Sequence, residues 1–370
     1  MFLNILHAMR KTNFTALLMQ WHRDTNRREM PWKGEKDPYK IWLSEIILQQ
    51  TRVEQGWGYY QRFIAKYPTI LHLAKANDEA VFKLWEGLGY YNRCKNLLFT
   101  AREIATKYNG LFPTNYDTIL LLKGIGPYTA AAIASFAFNL PYAVVDGNVF
   151  RVLSRVFGIE TAIDSTDGKN EFTTLANAVL DQASPGAYNQ AIMDFGATQC
   201  KPMAPLCSTC LLQKNCVAFK LGKVNLLPFK EKVLLKKNRW FYYFLFEHHH
   251  KILIHKRSGK DIWENLHEFY LLEASEQIKW NQTLVAQWLQ EQFNLTDAHL
   301  LDLSTVLSQQ LTHQQIKGQF IHVQLKTVPD SLKHYQWLSM QDLQKLAFPK
   351  FIHQYLVLPN TISWINPKNK

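Results

Sequence analysis

The chain has 370 residues, of which 47% are hydrophobic and 13% aromatic, and its formal net charge at pH 7 is +12. This length exceeds one ordinary domain and supplies apolar material for two cores. The charge favours a polyanionic partner, nucleic acid ahead of an anionic membrane surface, because binding to phosphates releases counterions. The sequence shows neither the unbroken apolar core of a signal peptide nor a window able to span a bilayer, so we expect a soluble, cytoplasmic protein without a membrane partner.

Residues 37–51, DPYKIWLSEIILQQT, place a single carboxylate in an otherwise apolar helix. Asp37 is a suitable N-cap, and Pro38 suits the first helical position. Apolar residues surround nearly the whole circumference, which is the pattern of a helix buried on all sides. Glu45 therefore loses hydration, and its pKa should rise enough for a protonated acid to persist near neutrality. The helix alone is equally compatible with a catalytic proton donor and with a structural Glu in a buried ion pair.

Two turn segments present aromatic side chains among the helices predicted for the first half. MPWKGEKDP carries Trp32 and Lys33, where an aromatic ring beside a cation could stack on a base. GLGYYNR at 87–93 holds Tyr90 on a glycine-flanked loop, which suits insertion of a side chain between bases. A Trp such as Trp32 is more often a packing residue, and a hinge with a core tyrosine is an equally valid interpretation of the second segment.

Residues 118–136, TILLLKGIGPYTAAAIASF, predict two helices joined by a tight turn. Gly124 and Gly126 allow the backbone to turn sharply and to approach a phosphate closely. The amides at the start of the second helix favour anions. This is a helix-hairpin-helix signature, which in a basic protein indicates contact with the DNA backbone.

Residues 141–157, PYAVVDGNVFRVLSRVF, place Asp146 at the start of a helix. Unpaired amides stabilise an Asp there in its charged form, and most such residues are only caps. Glu45, by contrast, is predicted to stay neutral. Carboxyl groups whose environments separate their pKa values mark acid and base roles, so both are candidate catalytic groups.

Four cysteines form one compact run, Cys200, Cys207, Cys210 and Cys216. Zinc sites usually pair two Cys-x-x-Cys clamps across a longer loop, whereas a single run of four thiolates suits an iron–sulfur cluster. A secreted disulfide scaffold is excluded by so few cysteines in so long a chain.

The composition changes after residue 220. The basic segment 221–237 is interpreted as a linker. Strand-length apolar runs follow from residue 239, with a helix at about 280–293. This pattern predicts an α+β domain over residues 238–357 and a tail at 358–370.

These motifs together resemble the adenine DNA glycosylases of the MutY type, within the endonuclease III superfamily of helix-hairpin-helix glycosylases. The likeness runs from residue 10 to about 220 through PWKGEKDPYKIWLSEIILQQT, WEGLGYYNR, LKGIGPYTA, VVDGNVFRVLSR, YNQAIMDFGA and the cysteine run. It implies an all-α glycosylase domain over residues 1–220 with a 4Fe–4S cluster on the four cysteines. The implied partner is double-stranded DNA in which adenine is mispaired with 8-oxoguanine or guanine, and we expect a monomer.

The resemblance also implies catalytic roles. Glu45 would protonate the adenine ring, Asp146 would stabilise the oxocarbenium-like sugar, and Tyr128 and Asn148 would orient these groups or the attacking water. Members that also cleave the strand carry a lysine at the position of Tyr128. A tyrosine hydroxyl cannot form a Schiff base, so a monofunctional DNA N-glycosylase is implied.

Base removal requires that adenine leave the duplex. The resemblance assigns the pocket that holds it to Trp32, Lys33, Leu48, Gln50, Thr51 and Gln190. Arginine and glutamate are the residues of some relatives where this chain has Lys33 and Gln190. Tyr90 would intercalate beside the opposing 8-oxoguanine, and Gln49 is a candidate for the gap left by the extruded base.

The second half resembles the Nudix-like domain of the same family through RSGKDIWENLHEF and QLTHQQ. A Nudix hydrolase needs a glutamate-rich helix to hold magnesium on a pyrophosphate, and the sequence contains no such run. A recognition domain is implied, in which Thr312 and His313 occupy the place of a Ser-His tip that touches 8-oxoguanine. Leu311 and Gln310 depart from the commoner Phe-Ser-His form.

Two other functions stay open on the sequence. One is a bifunctional glycosylase and lyase for oxidised pyrimidines, which would cut a duplex containing thymine glycol. The other is a non-catalytic, cluster-containing DNA-binding protein, which would bind a mispair without releasing a base.

Overall fold

A computed structural model describes residues 2–30, 32–232 and 236–357, with only the backbone for residues 2–12. The chain divides into two compact units. One comprises Met1–Lys75 with Asn96–Val233, and the other comprises Ala76–Lys95 with Leu234–Lys370. The predicted tail at 358–370, and residues 233–235 of the predicted linker, lie outside the described residues.

Helices make up the regular structure of the described chain as far as residue 220, as the all-α prediction for the N-terminal half requires. They are α1 (Phe2–Asp24), α2 (Pro38–Leu48), α3 (Val53–Lys66), α4 (Ile70–Ala74), α5 (Asp78–Trp85), α6 (Asn92–Lys107), α7 (Tyr116–Leu121), α8 (Pro127–Phe138), α9 (Gly147–Phe157), α10 (Thr166–Ala178), α11 (Pro185–Thr198) and α12 (Val217–Lys220). Helix α5 and the first turn of α6 belong to the second unit.

Helix α2 begins and is buried as its sequence predicts. The Asp37 carboxylate accepts a hydrogen bond from the backbone N–H of Tyr39 at 2.9 Å, and Pro38 occupies the first turn. The helix packs against α3 and α8, and its buried residues include Glu45. This packing on several sides removes water from a carboxyl group that would otherwise be solvated.

The other core of the first unit joins α1, α8, α9, α10 and α11. Helix α9 buries an apolar stripe in this core, with Val152 and Leu153 fully inaccessible. Asp146 caps the start of α9, and Gly158 ends it in the left-handed region with φ 74°. This core holds the N-terminus of α9 beside α8 and α11.

The second unit is built on a mixed eight-stranded sheet with short helices. Its elements are β1 (Lys237–His248), β2 (Lys251–Lys256), β3 (His267–Glu268), β4 (Tyr270–Ala274), α13 (Gln282–Phe293), β5 (His299–Leu303), β6 (Leu307–Gln310), β7 (Gln314–Gln324), β8 (Gln336–Ser339), α14 (Met340–Leu343) and α15 (Lys350–Leu356). Strands β1 and β7 pair in parallel and all other pairs are antiparallel. The predicted α+β class is confirmed.

Strand β1 is the centre of this sheet, because it pairs with β2, β4 and β7. Its apolar run is buried on both faces, from Phe241 to Phe246. Helix α13 covers one face through Trp288, which stacks on Phe244 with ring centroids 4.1 Å apart. Glu291 is the only acidic residue of α13, so this helix lacks the carboxylates with which a Nudix hydrolase binds magnesium.

Candidate active site

One pocket of about 660 Å³ in the first unit contains the candidate catalytic and base-binding residues of α2, α8, α9 and α11. We refer to it as the Glu45 pocket. Eleven residues predicted from the sequence line it: Trp32, Lys33, Glu45, Leu48, Gln49, Gln50, Thr51, Tyr128, Asp146, Asn148 and Gln190. The residues come from four helices and two loops, so the tertiary fold is what brings them together.

Glu45 lies in the wall of this pocket with only 8% of its surface exposed. Burial raises the pKa of Glu45 to about 7, assisted by the negative charge of Asp146 and opposed by a hydrogen bond with the Tyr128 side chain. Burial also holds the pKa of Tyr128 well above its usual value, so its hydroxyl remains a donor. The carboxyl group can therefore be protonated near neutral pH, as the composition of α2 predicts.

Asp146 is held at the N-terminus of α9 by two donors. Its Oδ1 accepts a hydrogen bond from the backbone N–H of Val149 at 2.8 Å, and its Oδ2 accepts one from the Asn148 amide at 2.7 Å. Both donors complement a carboxylate better than a neutral acid. The pocket thus combines a buried acid with a second carboxyl group that receives hydrogen bonds.

Arg151 and Gly196 support Asn148, and sequence reasoning missed both. The buried Arg151 guanidinium donates to Asn148 Oδ1 at 2.8 Å and to the carbonyls of Gly196 and Cys200. A Cβ atom on Gly196 would lie 2.6 Å from the Asn148 Cβ. In the sequence, these two residues were visible only as a cation one turn after Asn148 and as a glycine within YNQAIMDFGA.

The Trp32 ring, which lines the Glu45 pocket, packs against other aromatic rings. The half-buried Trp32 contacts Trp57 and Tyr60, with ring centroids 5.8 and 5.7 Å away. Trp57 and Tyr60 stack on each other on successive turns of α3. Trp32 is therefore supported by two further rings, which the sequence analysis did not identify.

A charged group at the edge of the pocket was also missed. The Asp194 carboxylate, whose side chain is fully buried, pairs with Arg28 at 2.9 Å and with Lys33 at 3.4 Å. It also accepts hydrogen bonds from the amides of Asn26 and Gln190, each at 2.9 Å. Asp194 was detectable only as an acidic residue one turn after Gln190 on α11.

The predicted hairpin joins α7 to α8. Gly124 has φ 80°, and a Cβ atom there would lie 2.7 Å from the Asn96 Cβ, so glycine is required by both conformation and space. Gly126 caps α8 with extended backbone, and a Cβ there would meet nothing within 4 Å. The Lys123 ammonium lies 4.3 Å from the centroid of the Phe99 ring, which places a cation beside the turn.

Tyr90 and Thr312 both belong to the second unit, where they meet although 222 residues separate them in the chain. Their hydroxyl oxygens are 2.5 Å apart. Tyr90 is 46% exposed with φ 49°, and the Arg93 guanidinium lies 5.3 Å from its ring centroid. Thr312 and the exposed His313 lie in the tip loop, residues 311–313, which joins β6 to β7.

The four clustered cysteines line a single small cavity with mostly apolar walls. The buried Arg155 guanidinium lies 3.4 Å from Cys200 Sγ, and the Arg155 carbonyl accepts from Cys216 Sγ at 3.3 Å. A set of four thiols with an adjacent cation matches an anionic cluster ligated by cysteine. The donor type therefore suits an iron–sulfur cluster, although among the described residues no group of three or more His, Cys, Asp or Glu side chains is arranged to hold a metal ion. The fifth cysteine, Cys94, is buried elsewhere.

Among the described residues, every helix is too short or too polar to cross a bilayer.

Comparison with known proteins identifies the class of protein to which the chain belongs. Residues 43–177 match the sequence model of the HhH-GPD superfamily base excision DNA repair protein, and residues 242–358 match that of the NUDIX domain. A structure described as a thermostable thymine-DNA glycosylase superposes with a TM-score of 0.54 at 30% identity, covering 58% of this chain and 98% of that one. A non-covalent endonuclease III–DNA complex, at 20% identity and a TM-score of 0.50, shares the fold.

The curated relatives narrow this class. The adenine DNA glycosylase of Buchnera aphidicola subsp. Acyrthosiphon pisum is 35% identical over 271 residues, which cover 73% of this chain and 77% of that protein. The human adenine DNA glycosylase is 42% identical over 216 residues, covering 56% of this chain and 39% of that protein. The chain belongs to the adenine DNA glycosylase family.

Proposed function

We propose that this protein removes adenine mispaired with 8-oxoguanine or guanine from double-stranded DNA by hydrolysing the N-glycosidic bond. The observation that carries the proposal is a buried Glu45, with a pKa of about 7, in the same pocket as the hydrogen-bonded Asp146. An acid that stays protonated near neutrality can activate a base as a leaving group. The net charge of +12 suits the DNA substrate.

The chemistry assigns one role to each carboxyl group. Glu45 donates its proton to a ring nitrogen of the extruded adenine while the bond between the sugar C1′ and the base nitrogen breaks, and the bonding electron pair leaves with the base. The sugar becomes oxocarbenium-like, and the Asp146 carboxylate stabilises its positive charge. Water then adds to C1′ and loses a proton to a nearby carboxylate. Asn148 orients Asp146 through its 2.7 Å hydrogen bond.

The walls of the Glu45 pocket are proposed to bind the extruded base. The Trp32 ring supplies an aromatic face and Leu48 an apolar contact, while Gln49, Gln50, Thr51, Lys33 and Gln190 supply polar groups. Flipped bases are held by stacking and by hydrogen bonds at their edges. The backbone at Gly124 and Gly126 would bind phosphate, because neither residue carries a side chain that would keep a phosphate away.

Recognition of the opposing base is proposed to lie in the second unit. The exposed Tyr90 ring would intercalate beside 8-oxoguanine, with Thr312 and His313 of the tip loop contacting that base. The hydrogen bond between Tyr90 and Thr312 supports this assignment because it couples the intercalating ring to the tip loop. Glycosylase chemistry and lesion recognition would then use separate parts of the chain.

Tyr128 favours a monofunctional enzyme. A lyase forms a Schiff base through a nucleophilic amine, and the residue beside Glu45 is instead a phenol whose pKa burial raises well above its usual value. Treatment with borohydride during turnover should therefore trap no covalent complex between protein and DNA. Efficient trapping together with base release would show that another residue acts as a lyase nucleophile.

A 4Fe–4S cluster is proposed to be held by Cys200, Cys207, Cys210 and Cys216. When bound, such a cluster would tie the loop after α11 together and could exchange an electron. Purified protein should contain iron and acid-labile sulfide in equal amounts and absorb at about 400 nm. Zinc without iron would contradict the assignment.

One experiment tests the proposed function directly. The protein is incubated with four duplexes that contain A opposite 8-oxoguanine, A opposite G, A opposite T, or thymine glycol opposite A, and each product is heated with alkali. We expect strand breaks only in the first two duplexes. Cleavage of the thymine glycol duplex would favour the oxidised-pyrimidine enzyme. Tight binding of the first duplex without base release would favour a non-catalytic DNA-binding protein.

A further inference from the structure

Asp194 does not itself line the Glu45 pocket, but it bonds to three side chains that do, and the proposed chemistry does not use it. It lies on α11, and its side chain is fully buried although it carries a charge. Burying a carboxylate is costly unless cations and hydrogen-bond donors surround it. Four side chains do so here, from Asn26, Arg28, Lys33 and Gln190. Their convergence indicates an organised site.

The hydrogen bonds determine how the Gln190 amide is oriented. A carboxylate that takes part in an ion pair only accepts hydrogen bonds, so the nitrogen of the Gln190 amide must face Asp194. The Gln190 Nε2 indeed lies 2.9 Å from Asp194 Oδ1. Gln190 lines the pocket, and its carbonyl oxygen is the remaining polar atom of the amide. The amide therefore offers an acceptor to a base in the pocket.

Asp194 also sets the charge on this side of the pocket. Arg28 and Lys33 both line the pocket, and their side chains are 27% and 32% exposed. Without a carboxylate, two cations would face a base that must become protonated before it leaves. Repulsion between like charges would then oppose the transition state. Asp194 removes most of that repulsion by pairing with both.

We propose that Asp194 is a specificity-determining positioning residue, which fixes the Gln190 carbonyl oxygen towards the pocket so that it accepts a hydrogen bond from the 6-amino group of an extruded adenine. This inference rests on the proposed function. A purine without a 6-substituent cannot donate that hydrogen bond. Hypoxanthine, which has a carbonyl oxygen at C6, would place two acceptors against each other. Sites built to pair with a polar group of the substrate discriminate strongly against analogues that lack it.

The test measures single-turnover release of adenine, unsubstituted purine and hypoxanthine, each opposite 8-oxoguanine. Comparing variants by the ratio of adenine to purine rates cancels the intrinsic lability of each glycosidic bond. Gln190→Met removes the acceptor while leaving Asp194 in place, and Asp194→Asn removes the charge without changing the shape. Asp181→Asn is the matched control, because Asp181 bonds to the backbone before α11 and does not line the Glu45 pocket.

We expect Gln190→Met and Asp194→Asn each to lower the ratio of adenine to purine rates about tenfold or more, because a buried hydrogen bond is lost. Gln190→Glu should slow adenine release, since it places a second carboxylate against Asp194. The double variant Gln190→Glu/Asp194→Asn should recover at least tenfold of that loss, because an asparagine at position 194 can donate to the new carboxylate.

Three results would overturn the inference. They are equal slowing of all three substrates by Asp194→Asn, an unchanged ratio in Gln190→Met, and a double variant no faster than Gln190→Glu. If Asp194→Asn alone does not fold, the comparison of Gln190→Glu with the double variant Gln190→Glu/Asp194→Asn tests the coupling of the two residues, and Gln190→Met, at a half-buried position, tests the acceptor. If the unaltered protein releases no adenine, the proposed function itself is wrong. If it does release adenine and the ratios do not move, the roles given to Asp194 and to the Gln190 carbonyl oxygen are wrong, whereas the proposed function stands.

Discussion

The Glu45 pocket of the first unit and the tip loop of the second unit handle polar groups in opposite ways. In the pocket, Glu45 is 8% exposed and burial changes its acidity. Beside the tip loop, Tyr90 is 46% exposed and its hydroxyl shares an exposed hydrogen bond with that of Thr312. Burial is what turns a carboxyl group into a proton donor, whereas a residue that reads DNA must be reachable. Substitutions in the pocket should therefore alter the rate of chemistry, and substitutions at the tip loop should alter the choice of opposing base.

The largest effect is expected from Glu45→Gln. This variant keeps the shape of the side chain but cannot donate the catalytic proton, so single-turnover adenine release should fall by a factor of about 100 to 10,000. Binding to a duplex with A opposite 8-oxoguanine should change little. Glu35→Gln is the control within the same pocket, since Glu35 has a lowered pKa and pairs with Lys40, and it should keep nearly full activity. Normal turnover by Glu45→Gln would remove Glu45 from the mechanism.

The next largest effect is expected in the pH dependence of adenine release. Because Glu45 must be protonated, adenine release should fall about tenfold per pH unit above its pKa of about 7. Tyr90→Phe should show the same fall, because this variant retains Glu45 as the acid. A rate that stays constant between pH 7 and 9, with DNA binding intact, would show that the acid form is not required.

The same pKa shift affects stability. Burial raises the pKa of Glu45 from 4.5 in the unfolded chain to about 7, so the stability linked to its proton is fully present below pH 4.5 and is lost as the pH rises through about 7. Above that pH the folded state bears the cost of a buried charge. Glu45→Gln should therefore raise the free energy of unfolding at pH 8, relative to its effect at pH 4.5, by about 3 kcal/mol. Denaturant unfolding at the two pH values measures this difference.

A smaller effect is expected from Gly196→Ala. The added methyl group would overlap Asn148, so the Asn148 amide should move away from Asp146 and the rate of adenine release should fall about tenfold. Gly259→Ala is a suitable control, because a Cβ there would meet nothing within 4 Å. An unchanged rate in Gly196→Ala would mean that the geometry of Asn148 is not critical.

The smallest effect is expected at the tip loop. Tyr90→Phe removes the hydroxyl that bonds to Thr312 while keeping the ring, and Thr312→Val removes the other partner. Each should reduce the preference for 8-oxoguanine over guanine by a factor of about three to ten, in line with the loss of one hydrogen bond. The double variant should be no worse than either single variant, because one shared bond is lost. Additive losses would show that the two hydroxyls act independently.

Local patterns in the sequence accounted for the elements that carry the site. The start of α2 followed from Asp37 and Pro38, and the burial of Glu45 followed from the apolar residues around it. The cap of α9 at Asp146 followed from the position of this residue before a helix, and the α+β class of the second unit followed from apolar runs of strand length. These features depend on residues that are close together in the sequence, so they can be predicted from it directly.

Contacts between distant segments were decided only by the tertiary structure. Periodicity does not predict that Asp194 forms ion pairs with Arg28 and Lys33. Nor does it predict that Tyr90 hydrogen-bonds to Thr312, in a unit that includes Ala76–Lys95. A polar residue on a helix looks like any solvated residue until the chain that buries it is in place. The sequence of α2 alone was therefore enough to predict that Glu45 is a buried carboxyl group with a raised pKa. Its partners were not, because a buried charge takes its neighbours from wherever the fold brings donors within hydrogen-bonding distance.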